Sequence, residues 1–299
     1  MVSLGGLVCL GFRQQTTDFR RQTSEIFYLS SVVCRPLFTH LTNPTKLPKP
    51  TKLTSPMLSI LYEDNHLIAV RKPYGMLTQC DDTGDKNLLD EVKFFIKERD
   101  QKPGNVFLGL LHRLDRPVGG VVLFGKTSKG ASRLSEQFRT HTIQKTYWAV
   151  VEKGIDRHAG HRSGIQSNQK NAGPRVEPGV TNTIIQWLIK DERTNKVTPY
   201  DREVAGSQRA ELTYTILKTA DDCALVEIYP KTGRPHQIRV AMASKVAPIV
   251  GDLKYGAHEG LKGNIALFAR SLSFAHPITG ENIVVVAEPE LEIFGLFLE

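Results

Sequence analysis

The chain has 299 residues, 40% of them apolar and 23% charged, with 39 Lys and Arg against 31 Asp and Glu and a formal net charge of +8. That apolar content supports a substantial core in one large domain or two medium ones and excludes a wholly disordered chain. The four cysteines, Cys9, Cys34, Cys80 and Cys223, show no CxxC spacing. Neither a disulfide framework nor a zinc site is therefore indicated, and no apolar run is long enough to span a bilayer.

The charge is unevenly spread. In residues 1–56 seven basic side chains face two acidic ones, so this stretch holds +5 of the total and the remaining residues only +3. An electrostatic footprint for a nucleic acid must then come from local arrangement, not from the global balance. The same stretch is rich in Ser and Thr, contains Pro36, Pro44, Pro48, Pro50 and Pro56, and has neither strand alternation nor a long helical stripe. Its Arg-rich, acid-poor character fits an organellar transit peptide. The Ser/Thr bias and the lack of an amphipathic helix point to the chloroplast before the mitochondrion. A disordered extension of a cytosolic protein is the alternative.

Folded sequence is expected from Met57. Leu58 to Tyr62 lead through a turn at Glu63-Asp64-Asn65 into a short strand, Leu67 to Val70, ended by Lys72-Pro73-Tyr74-Gly75. After a polar loop, Asn87 is placed to cap a helix whose Leu88, Leu89, Val92, Phe95 and Ile96 share a face. Gly120 to Phe124 is apolar enough for an interior strand, and Ala131, Leu134 and Phe138 mark a short helix. Lys145 to Val151 alternates as a strand, with Lys145, Tyr147, Ala149 and Val151 on one side and Trp148 on the other, where it reads as core. Residues 153–182 are a polar insertion expected to form a surface loop, with a partly disordered RNA-facing arm as the alternative. Strands follow at Ile184–Leu188, 210–217 and 223–229. The turn Pro230 to Arg234 opens, with Pro235 in its first turn, a helix from His236 to about Ser244. Gly251 to Gly256 is a turn, and two strands, 265–273 and 283–287, close the chain. Many strands with few helices between them predict an α+β fold with a largely antiparallel sheet.

Two segments carry the chemistry. Asp115 lies between Arg113 and Arg116 on the loop before the Gly120 strand. A carboxylate there is poorly placed to attract a polyanion and well placed to react with one that the arginines have bound. More than a hundred residues later, Arg234, His236, Gln237 and Arg239 cluster at a helix start. Arg239 is placed to pair with Asp115 and keep it ionised and oriented; a purely structural ion pair is the alternative. Asp252 reads as a turn residue. No GxGxxG follows a strand and no GxxxxGK[ST] occurs, so Rossmann and P-loop chemistry are excluded.

His112-Arg113-Leu114-Asp115-Arg116-Pro117 through Lys126-Thr127 resembles the HRLDRxxSG…AKT motif of the RluA family of ribosomal and transfer RNA pseudouridine synthases. Leu61 to Gly75 is similar to the family's opening strand and KPxG turn, Lys145-Thr146-Tyr147 to its KxY strand, and Pro230 to Arg239 to its PxTGRxHQIR segment. Pro248 to Asp252, Tyr255-Gly256 and His276-Pro277 are similar to its closing motifs. These matches run in order over about residues 58 to 290. The resemblance implies the pseudouridine synthase fold over residues 57–299, a mixed, largely antiparallel sheet bearing a catalytic cleft, without the S4 RNA-binding module of larger members. It implies isomerisation of uridine to pseudouridine in structured ribosomal or transfer RNA by a monomer with no membrane partner. The C1′–N1 bond breaks, the uracil turns and rejoins through C5, and no cofactor or metal is required. Asp115 would act on the ribose, by attack at C1′ or by way of a glycal; Tyr147 would stack on the base and is a candidate to accept the C5 proton directly or through water, and Arg239 would orient Asp115. Arg113, Arg116, Lys72, Arg234, His236 and Gln237 would contact the RNA as the target nucleotide is flipped out. The chain departs from the family pattern at Gly119 (usually serine), Gly125 (often alanine), Ala241 and Phe268 (usually histidine). These departures support the competing expectation, a non-catalytic RNA-binding or ribosome-assembly protein on the same fold.

Overall fold

The computed structural model describes residues 58–152, 179–220 and 222–298. The expected transit segment and residues 153–178 of the expected insertion lie outside them. Turn chemistry sets the first elements. Asp64 accepts the backbone N–H groups of His66 and Leu67, reversing the chain between β1 (Ser59–Glu63) and β2 (Leu67–Lys72). Helix α1 (Leu88–Arg99) starts at Asn87, whose side chain accepts the Asp90 N–H at 3.1 Å, and buries Leu88, Val92 and Ile96. After β3 (Gly109–Leu110), every residue of β4 (Gly119–Gly125) is buried, as a strand enclosed on both faces requires. Helix α2 (Ser128–Arg139) is capped by Thr127. Then come β5 (Gln144–Glu152), β6 (Thr181–Asp191), β7 (Lys196–Tyr200), β8 (Gln208–Thr219) and β9 (Cys223–Pro230). Helix α3 (Gln237–Lys245), β10 (Leu267–Ala275), β11 (Asn282–Val286) and a short α4 (Glu292–Gly295) complete the order.

All the strands belong to one sheet, ordered β1-β2-β4-β10-β5-β9-β8-β6-β7, with β11 on β10 and β3 on β4. Every pairing is antiparallel except β4 with β10, where Gly119 and Gly120 lie beside Phe268 and Ala269. The fold is thus α+β with a largely antiparallel central sheet. Among the described residues no helix is long and apolar enough to cross a membrane.

Four expectations need correction. Residues 181 and 182 already belong to β6, which runs on to Asp191 and pairs with an unpredicted β7. That strand contains Pro199, which removes a backbone donor and hides the strand from a pattern reading; β7 is at the end of the sheet order, where proline is tolerated. Pro235 is not in the first turn of α3: His236 is the N-cap, in the left-handed conformation, and the helix begins at Gln237. Trp148 is only half-buried, packed against the core and not enclosed within it. Arg270 sits 4.7 Å over the indole ring, and the indole Nε1 donates to Glu227, so a guanidinium covers one face of the ring.

Candidate active site

Asp115 is held in place by its neighbours. Leu114 and Val118, on either side, are buried, and the Val118 N–H closes a turn onto the Asp115 carbonyl at 3.0 Å. The Leu114 backbone exchanges two hydrogen bonds with the Thr78 hydroxyl. Beneath the loop, Lys72 is fully buried and its Nζ donates to the carbonyls of Pro73, Met76 and Arg116. Burial drives the lysine pKa down to about 7, against the pull of the Asp115 charge. Lys72 therefore does not reach an RNA backbone as expected; it satisfies loop carbonyls that would otherwise be buried without donors.

Asp115 itself is one-third exposed, and its Oδ2 lies 3.3 Å from Arg239 Nη1. Arg239 is buried on α3 and is held from behind by Asp252, which accepts from its Nε at 2.7 Å and its Nη2 at 2.8 Å. Burial opposes the guanidinium charge, but Asp252 and then Asp115 more than offset it, and its pKa is raised. The Tyr255 ring lies beneath the guanidinium, 5.1 Å away. Asp252 is thus more than a turn residue: one carboxylate fixes the arginine and the arginine aims the other.

The cleft beside Asp115 has a volume of about 110 Å³ and is lined by the 113–115 loop, Lys145 and Tyr147 of β5, the 230–234 turn and the start of α3. Lys145 and Tyr147 are two apart on one strand and so share a face. Burial, and then the Asp115 charge, raise the Tyr147 pKa, so the ring enters the cleft as a neutral phenol. Burial lowers the pKa of Lys145, a cleft residue to which the sequence reading gave no role.

The expected RNA contacts divide into two groups. Arg113 and Arg234 are exposed at the cleft, and His236 lines it. Arg116 is also exposed, but it is tied to Asp85 at 2.7 Å and to the Gly75 carbonyl at 3.1 Å. Gln237 is part of the cleft wall, but its amide is committed within the protein. It is buried, its Oε1 accepting from the Thr232 hydroxyl and the Arg234 N–H and its Nε2 donating to the Glu211 carbonyl. It therefore fastens the 230–234 turn to β8. His112 accepts the Leu123 N–H and stacks on Phe138, and burial pushes its pKa down to about 3.

Comparison with known proteins decides what this cleft belongs to. The RNA pseudouridylate synthase family matches residues 66–244. The chain belongs to the RNA pseudouridylate synthase family. It is 31% identical to tRNA pseudouridine synthase C of Salmonella typhi, over 77% of this chain and 85% of that protein. It is 34% identical to the same-named protein of Pasteurella multocida, over 80% and 96%. Its fold resembles that of Human RNA Pseudouridylate Synthase Domain Containing 4, with a TM-score of 0.59 and 24% identity over 80% of this chain and 91% of that one. As a member of this family the chain is an enzyme that isomerises uridine to pseudouridine in structured RNA.

Two of the departures from the family pattern explain each other. A Cβ at Gly119 would meet the Tyr74 ring at 2.8 Å, and Tyr74 packs against Phe268, which in turn packs against Phe294. A serine at 119 has no space while Tyr74 occupies it, so the glycine and the phenylalanine form one packing set behind the site. Gly120 is required for another reason: φ is +124° and a Cβ would collide with the Ala269 backbone. Neither position removes a group from the synthase cleft. Gly119→Ser is expected to lower stability by about 1–3 kcal/mol, and urea denaturation of a double-mutant cycle with Tyr74→Ala to show coupling between the two. A coupling energy near zero would disprove the ring contact.

Proposed function

We propose that the enzyme modifies a uridine in transfer RNA, with Asp115 acting on the ribose of a flipped-out nucleotide, Arg239 aiming Asp115 and Tyr147 lying against the base. The observation that carries this reading is the Asp115 carboxylate, open to the cleft and 3.3 Å from a buried guanidinium that Asp252 already fixes. The cleft at Asp115, about 110 Å³, merges through Asp115, Tyr147 and His236 with a groove of about 840 Å³, a size within the range of about 300–1,000 Å³ usual for small-ligand sites. Extrusion costs a few kcal/mol of stacking and pairing. This groove, bearing Arg113, Arg116, Arg139, His141, Lys190 and Arg234, leads into the site and supplies phosphate contacts against that cost. Tyr147, a neutral phenol with a raised pKa, suits packing on the detached uracil better than accepting the C5 proton as a phenolate.

Transfer RNA is favoured over ribosomal RNA by the relatives, which are named tRNA pseudouridine synthase C. The basic, Ser/Thr-rich residues 1–56 favour a chloroplast protein whose catalytic domain is residues 57–299. Site-resolved pseudouridine mapping of organellar and cytosolic RNA, with and without the protein, tests both points. The expected result is loss of pseudouridine at a transfer RNA position in the plastid. Loss confined to ribosomal RNA would overturn the substrate, and loss confined to cytosolic RNA the compartment.

A further inference from the structure

His236 is unusual in its backbone and in its partners. As the N-cap of α3 it adopts φ 50° and ψ 16°, the left-handed region, and its side chain makes no capping hydrogen bond. Strain of this kind in a residue with a β-carbon collects at functional sites. The imidazole lines the cleft, 10% exposed, with Nε2 3.8 Å from Asp115 Oδ2. Its Nδ1 lies 2.8 Å from the Tyr255 hydroxyl, and that hydroxyl accepts the Val197 N–H at 3.0 Å.

Proton counting fixes the tautomer. The Val197 amide can only donate, so it takes a lone pair of the phenol oxygen. Among the described residues the phenol hydrogen has no acceptor other than His236 Nδ1. That nitrogen is then the acceptor, and the neutral ring carries its hydrogen on Nε2, toward Asp115. Burial favours the neutral ring, as do the charges of Arg239 and Lys254, against the opposing pull of Asp115 and Asp252.

A donor and an acceptor 3.8 Å apart are too far from each other to bond and well spaced to share a third group. A hydroxyl about 2.8 Å from both accepts from Nε2–H and donates to Oδ2, with an angle at its oxygen a little under a right angle. In a ribose whose C1′ lies beside Asp115, the hydroxyl nearest the reacting carbon is the 2′-hydroxyl. On the reading of Asp115 given above, we propose that His236 and Asp115 together hold the 2′-hydroxyl of the target nucleotide, so that the cleft selects a ribonucleotide over its 2′-deoxy counterpart. His236 binds substrate in this arrangement, and Tyr255 is a positioning residue that sets the tautomer.

The test uses the full-length enzyme and pseudouridine-containing product RNA, with and without the 2′-hydroxyl at the target position. Wild type should bind the ribo form about tenfold more tightly. His236→Phe should lose that discrimination by weakening the ribo form about tenfold while leaving the deoxy form nearly unchanged, and His236→Gln, whose amide N–H can take the place of Nε2–H, should regain part of it. Nitrogen-15 NMR of histidine-labelled wild type should show the Nε2-protonated ring, and Tyr255→Phe a mixture of tautomers. Equal binding of both RNAs by wild type, equal losses on both in His236→Phe, or an Nδ1-protonated ring in wild type would each overturn the proposal. Tritium release from C5-labelled uridine reports separately on Asp115, so the 2′-hydroxyl contact can fail while the isomerase reading stands.

Discussion

Asp115→Asn should stop turnover, with tritium release from C5-labelled uridine in RNA falling by more than about 10⁴-fold, some 5.5 kcal/mol of barrier. The amide has the size of the carboxylate but can neither attack C1′ nor remove a proton from the sugar. The fold should survive, because the loop is anchored by Leu114, Val118 and Thr78 and not by the carboxylate. Arg239 also keeps both bonds to Asp252. RNA affinity should stay within about threefold or tighten, since the change removes a negative charge beside a polyanion. Turnover near the wild-type rate would remove Asp115 from its role.

What could be read in advance depended on whether a residue's partner was local. The cap Asn87 acts within one turn of its own helix, and the interior strand expected from Gly120 to Phe124 is apolar throughout. The alternation of β5 placed Lys145 and Tyr147 on one side. The pairing of Arg239 with Asp115, 124 positions apart, was expected on charge. Charge alone did not show that Asp252 holds the same guanidinium more closely, because a Gly-Asp pair after an apolar run looks like any turn. Only the order of the closing segments, Gly251-Asp252 followed by Tyr255-Gly256, offered a signal for both residues beneath Arg239. The partners of Lys72 and Gln237 were missed for a common reason. Polar side chains in turns read as facing solvent or RNA, whereas tight loops bury backbone groups that need partners, and these two side chains provide them.

Asp252→Asn should be damaging in two separable ways. It leaves a buried guanidinium facing an amide, a change expected to cost about 3–5 kcal/mol of stability, as for other broken buried pairs. Arg239 keeps one carboxylate, Asp115, and should draw it away from the ribose, lowering kcat by about 100-fold or more, the scale of a misplacement near 1 Å. Denaturation midpoints and single-turnover rates read the two effects. A second variant separates them. Replacing the pair together, Arg239→Met with Asp252→Leu, removes the uncompensated charge and should recover most of the lost stability, because buried ion pairs often exchange for apolar residues at little net cost. Its kcat should remain low, because nothing then aims Asp115. A double variant that is both stable and fully active would show that the pair only fills space. A stable and inactive one would show that this costly buried arrangement is kept for the direction it gives to a single carboxylate.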